Sequence, residues 1–205
     1  EISNNWYLEL NGTIDLVDES QLVQTNTSDL VTSITGKILR RQEGLSNVYR
    51  YNYWGSPIGN AQSTALSDNN IPTNSSNSNF TLDLLKDAAL TPIEFTTSYD
   101  EIGKLSTYWT HTYQNGVSYF HWNNISITDP VLPGVGYIHK GLGLGGTEFQ
   151  YVFEGKPNNG VIQISATDIG GAGSVGGVSK TEYLLGNPYP SALDAHQFIT
   201  DNASV

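Results

Sequence analysis

The residues of this sequence best suited to a chemical task are its aromatics: four Trp, twelve Tyr and six Phe in 205 residues. Trp and Tyr rings combine a broad apolar face with a polar edge, the surface on which sugar rings stack. Two stretches concentrate them. Tyr49, Tyr51 and Tyr53 alternate with Arg50 and Asn52 and run into Trp54, while Tyr108 and Trp109 precede Tyr119 and Trp122. Tyr108, Tyr119, Trp122 and Trp54 are therefore the candidate ligand-binding residues. Burial in a core is the competing reading for every Trp, because strand alternation sends Tyr108 and Trp109 to opposite faces of a sheet. Thr110 and Thr112 share the face of Tyr108, which predicts Tyr108 in solvent and Trp109 in the core.

Other chemistries are weaker. Oxygen ligands for a structural Ca²⁺ stand at Asp100-Glu101 and at Asp68-Asn69-Asn70, without the EF-hand pattern. An ordinary acidic turn is the alternative for Asp100, Glu101 and Asp68. The four histidines, His111, His121, His139 and His196, lack the close spacing of a zinc site. His111 and His121 flank Asn115-Gly116 at similar distances, which predicts cross-strand neighbours on a hairpin. Gly141, Gly143 and Gly146 match GxGxxG, but the next residues, TEFQYVF, read as a strand where a dinucleotide site needs a helix. The absence of cysteine excludes disulfides, thiol catalysis and Cys-zinc sites. No two carboxylates stand in an apolar setting that would raise a pKa for glycoside hydrolysis, and no GxSxG occurs. A non-catalytic protein is expected, with no cofactor beyond a structural calcium.

The elements that must position these residues are strands. Residues 1–45 hold short apolar runs at intervals of about eight residues, which fits a meander or the rungs of a β-solenoid, with the rungs favoured. From residue 46 onward the pattern predicts an antiparallel, jelly-roll-like β-sandwich. Tyr49–Tyr53 is its first half-buried strand, on whose aromatic ladder the rest would pack. Leu105–Tyr113 and Val117–Trp122 read as arms of a hairpin around Asn115-Gly116. Phe149–Phe153 and Val161–Ile164 read as another, around Lys156–Gly160. Tyr183–Leu185 reads as the last strand, before the rigid turn Asn187-Pro188-Tyr189-Pro190, where a cis proline is one option. Leu82–Leu90 is the best helix candidate, and Ser191 is expected to cap a helical turn at 194–199. Residues 60–79 and 170–177 read as surface loops.

The net charge of −11 argues against nucleic acid and anionic membrane surfaces, which require basic patches. The sequence contains no apolar run long enough to span a membrane. The chain starts at Glu1 and has no methionine, so a processed product or a segment of a longer chain is expected.

Several motifs in order, NGTIDLVDESQLVQ (11–24), GKILRRQEG (36–44), YRYNYWGSPIG (49–59), YVFEGKPNNG (151–160) and LLGNPYPSALDAHQFI (184–199), resemble the C-terminal regions of large secreted surface proteins of the Bacteroidetes, chiefly flavobacterial type IX secretion substrates. The resemblance implies secretion or residence on the outer-membrane cell surface, and export by the type IX machinery through a sorting domain outside these residues. The leading expectation is a surface or adhesion module that binds a polysaccharide or cell-surface glycan through exposed aromatics. A structural module capping a β-repeat stalk is the alternative, and a polysaccharide-degrading enzyme the third.

Overall fold

A column of apolar residues organises the first forty positions of the computed structural model, which describes residues 1–25, 28–60, 77–171 and 179–203. Leu10, Leu16, Leu22, Leu30 and Ile38 are all buried, and the chain reaches them by coiling. Strands β1 (Ile2–Asn4), β2 (Tyr7–Leu10) and β3 (Thr13–Leu16) form one coil; β4 (Leu22–Gln24), β5 (Asp29–Thr32) and the start of β6 (Lys37–Leu45) form the next. Each strand lies parallel to its counterpart one coil later, with Ile2 beside Leu22, Tyr7 beside Asp29 and Thr13 beside Lys37. Parallel pairing between coils is the solenoid arrangement and not a meander. Asn4 makes one corner: its amide donates to Gln24 Oε1 at 2.7 Å and to the Asp29 carbonyl at 2.9 Å, and its oxygen accepts the Trp6 N–H. Gly36 makes another, because a Cβ there would lie 1.8 Å from the Leu10 carbonyl oxygen.

Strand β6 outruns the solenoid and carries the remainder of the chain. One edge pairs parallel with β3, and the other pairs antiparallel with β15 (Glu148–Pro157), from Ile38 beside Gly155 to Leu45 beside Glu148. The short strands β8 (Ile58–Gly59) and β9 (Leu85–Lys86) also pair with β15. A second sheet runs in the order β13 (Trp122–Asn124), β12 (His111–Tyr113), β14 (Tyr137–Lys140), β7 (Tyr51–Trp54), all antiparallel. The two sheets meet through an aromatic layer. Trp54 lies 5.3 Å from both Tyr151 and Phe153, His139 lies 5.1 Å from Tyr151, and Phe80 packs on Tyr137 and Phe153 at 5.6 Å. A parallel pair, β10 (Glu94–Thr96) and β11 (Lys104–Ser106), and the short helix α1 (Ala195–Asp201) complete an all-β chain, with no closed sheet among the described residues.

Two lysine arrangements fasten β15 in place. Glu154 accepts from Lys37 and Lys86, each at 2.6 Å. Burial pushes its carboxyl up, and the two ammonium groups outweigh this and hold it below the usual value. The buried Lys156 ammonium donates to the carbonyls of Ser33, Ile34 and Gly36 at the second solenoid corner, so its three N–H donors meet three acceptors.

Several sequence expectations change. The ladder on which the core packs is Asn52 and Trp54, not Tyr51 and Tyr53: the buried residues of β7 are 52 and 54. Asn52 is tolerated inside because it accepts from the Leu45 N–H at 2.7 Å and donates to the Leu45 carbonyl at 3.1 Å. Leu82–Leu90 is no helix; a 3₁₀ turn at Leu82–Leu84 passes into β9, and Leu90 takes φ +67°. Leu105–Tyr113 is split by a 3₁₀ turn at Thr107–Trp109, which the Thr110 hydroxyl bonds to Thr107 and Ile125. The hairpin partner of β12 begins only at Trp122, after a 3₁₀ turn at Tyr119–His121. Residues 161–164 form no strand, and 182–185 make only isolated bridges to Gly116 and Val135. No peptide bond is cis among the described residues, and Asp194, not Ser191, caps α1. The expected loops overlap 61–76 and 172–178, which lie outside the described residues.

His139 carries a pH prediction. It is fully enclosed in the aromatic layer, and its Nδ1 donates to the Lys140 carbonyl at 2.8 Å. Burial lowers its pKa from 6.5 to about 4. The unfolded chain therefore protonates before the folded one, and stability falls as pH drops from 6.5 toward 4 by ~3 kcal/mol. Urea midpoints should show this loss in the wild type and a flatter profile over the same window in His139→Phe. Lys156→Met, which leaves three carbonyls without their donor, is expected to cost about 3 kcal/mol in the same assay.

Candidate functional site

The inward phase of the second sheet sends the remaining side chains of its strands outward. Across that outer face Tyr53 lies beside Ile138, Ile138 beside His111, and His111 beside Asn124. Lys140 lies beside Tyr51, and Trp122 beside Tyr113. The 3₁₀ turn before β12 and the loop before β11 add Tyr108, Trp109 and Tyr99. The result is an aromatic platform on the solvent side. Tyr53 is 65% exposed, Tyr108 47% and Tyr119 80%.

Ring contacts hold the platform. Tyr99 and Tyr108 meet edge to face at 4.4 Å, Tyr108 and Trp109 at 4.6 Å, and Tyr51 and Trp109 at 6.4 Å. The Trp109 indole N–H donates to the Tyr99 carbonyl at 2.7 Å. Above it the Lys140 ammonium sits 3.5 Å from the Trp109 ring centroid and 5.8 Å from that of Tyr51, a cation–π arrangement. A hydrogen bond to Tyr99 comes first in raising the pKa of Tyr108; burial comes first for Tyr51, with Tyr119, Tyr53, Asp100 and Tyr108 adding to it. These phenols stay neutral and available as hydrogen-bonding edges.

Beside the platform an open cleft of about 690 Å³ runs between β6, β7 and the C-terminal segment. Tyr51 and Tyr53 line it, so cleft and platform share a border. Its opposite walls include Glu19, Arg40, Gln42 and Glu43 from the solenoid side and Asn187 and Tyr189 from the C-terminal segment. That segment is strapped across β7. Gly55 and Gly186 touch backbone to backbone, since a Cβ on Gly186 would lie 2.4 Å from the Gly55 Cα. Asn158 donates to the carbonyls of Ser56 at 3.1 Å and Pro188 at 3.0 Å, and the Tyr189 hydroxyl donates to the Gly160 carbonyl at 2.8 Å. The Asn187–Pro190 turn thus forms a rigid wall.

The candidate residues part company here. Tyr108 and Tyr119 belong to the exposed aromatic surface. Trp122 packs against Tyr113 at 4.9 Å with the rings tilted by 55°, and is half-buried. Trp54, 9% exposed, is a core residue that reaches the cleft only at its floor. Trp109 is outside the core, contrary to the alternation argument, because the 3₁₀ turn at 107–109 breaks the period. His111 and His121 are not paired: His111 faces Asn124, and His121 Nδ1 accepts the Val117 N–H at 2.8 Å. Glu101 is ion-paired to Lys104, whose hydrogen bond holds its carboxyl low. Asp100 is exposed and Asp68 lies outside the described residues; no group of three potential metal ligands occurs among the described residues. Sequence reasoning passed over Tyr99 and Lys140. Tyr99 stands in an irregular loop with no periodicity to mark it, whereas the outward phase of Lys140 follows from alternation once Tyr137 and His139 are known to face in.

One family model, described as "Domain of unknown function (DUF8693)", matches residues 1–205. The chain belongs to this family. Neither the curated proteins nor the solved structures contain a match to it. The family's description carries no activity, so the chemistry of the aromatic surface is the guide to function. No helix among the described residues is long and apolar enough to cross a membrane.

Lys140→Met should remove the cation over Trp109. The expected result is a stability loss of roughly 0.5–2 kcal/mol, read by urea unfolding, with an altered Trp emission spectrum in the folded state.

Proposed function

We propose that this domain is a non-catalytic module of a secreted bacterial surface protein, and that it binds glycans along the aromatic platform and its adjoining cleft. The observation that carries the reading is the outward clustering of Tyr51, Tyr53, Tyr99, Tyr108 and Trp109 beside a polar cleft. Aromatic faces placed at solvent and held by neighbouring rings lose little entropy on binding. Gln42, Glu19 and Glu43 line the cleft and offer acceptors and donors to sugar hydroxyls. The extracellular setting, and export through a sorting domain elsewhere, rest on the resemblance of the sequence motifs. Calcium is a candidate structural ion at Asp100 and Glu101.

The second reading is a structural cap for a β-repeat stalk. It is favoured by the first coil, whose strands β1, β2 and β3 each pair on one side only among the described residues, leaving ladder edges that another coil would fit.

Affinity electrophoresis against a panel of plant and algal polysaccharides, with and without EDTA, separates these readings. Retardation by at least one glycan is expected, with Tyr53→Ala and Tyr119→Ala each weakening it by about 10-fold. Loss of retardation in EDTA would assign a role to calcium. A folded protein that no glycan retards would leave the structural cap as the function.

A further inference from the structure

We infer that the platform and cleft select uncharged polysaccharide chains and reject polyanionic ones. The inference rests on the glycan-binding reading and supplies its ligand class.

Polyuronates and sulfated glycans are held by guanidinium or ammonium groups free to pair with each anion. Two basic side chains border the track, and both are held by neighbours, Arg40 through Nη1 alone. Lys140 is spent on the rings of Trp109 and Tyr51. Arg40 donates to the carbonyls of Asp18 and Ser20, each at 3.0 Å. Arg50, in the turn before β7, is not among the residues that line the cleft.

The carboxylates are arranged the other way. Glu19 and Glu43 line the cleft, and Asp100 is close enough to Tyr51 to act on its phenol. Gln150 donates to one oxygen of Glu43 at 2.8 Å, which fixes the carboxylate while its second oxygen can still accept. Carboxylates and amides of this kind accept from and donate to sugar hydroxyls, and they repel uronate or sulfate. The net charge of −11 reinforces the local sign. An uncharged chain meets none of this opposition and gains the aromatic stacking. The same rings would suit an extended proline-rich peptide, but the carboxyl-lined cleft beside them provides hydrogen-bond acceptors that a chain of proline rings, lacking N–H groups, cannot use.

The test is isothermal titration of the full chain with soluble oligosaccharides of matched length: neutral β-glucan, xylan and mannan fragments against oligouronates and sulfated galactan fragments. Binding of a neutral oligosaccharide is expected, unchanged between about 20 and 500 mM NaCl, with the anionic ones at least ~10-fold weaker. In the double variant Glu19→Gln, Glu43→Gln, the ratio of anionic to neutral affinity should rise at low salt and return toward the wild-type ratio at high salt. Tighter, salt-sensitive binding of an anionic glycan by the wild type would overturn the inference and leave glycan binding intact. Binding of no glycan, or of a proline-rich peptide alone, would overturn both.

Discussion

The antiparallel pairing of Lys37–Leu45 with Glu148–Pro157 is the constraint on which the other parts depend. Strand β6 ends the solenoid and begins the sandwich, so no break in hydrogen bonding separates the two. The pairing joins residues more than a hundred positions apart, and side chains reinforce it near its Lys37 end. Lys156 reaches back to the solenoid corner, Glu154 collects Lys37, and Arg41 grips Asp15 through two hydrogen bonds at 2.8 and 2.9 Å. Because each of these groups is partnered, the junction removes charge from solvent without leaving it unmatched.

Once β15 is in place its aromatic residues decide the phase of the second sheet. Tyr151 and Phe153 face that sheet, Trp54 and His139 meet them, and Phe80 joins Phe153 to Tyr137. Alternation then obliges Tyr51, Tyr53, Lys140 and His111 to face the other way. The aromatic platform is thus the reverse side of the core layer. Its exposure follows from register: a shift of one residue in β7 would bury the tyrosines and expose Trp54. The Gly55–Gly186 contact and the Asn158 amide add a fixed wall beside that edge strand, which turns a free edge into one side of a cleft.

The chemistry of the surface follows from what the core uses up. Trp54 and His139 go to the interior, Lys140 is held by two rings, and Arg40 is held by backbone carbonyls. What solvent meets along the track is phenol, amide and carboxylate, with the Arg40 guanidinium held at one wall of the cleft.

The sequence alone determined the all-β class, the rung-like spacing of the first forty residues and the absence of thiol chemistry, because these depend on composition and short-range periodicity. It did not determine which face of β7 is buried: Tyr51/Tyr53 and Asn52/Trp54 both alternate, and only the hydrogen bonds of Asn52 to Leu45 and the rings across the layer choose between them. Nor did it reveal the 3₁₀ turns that interrupt Leu105–Tyr113 and precede Trp122, since Thr110 bonds to Ile125, fifteen residues away. The platform and cleft join residues from positions 19 to 192, and that assembly belongs to the tertiary structure because long-range pairing and packing, not local preference, bring these segments together.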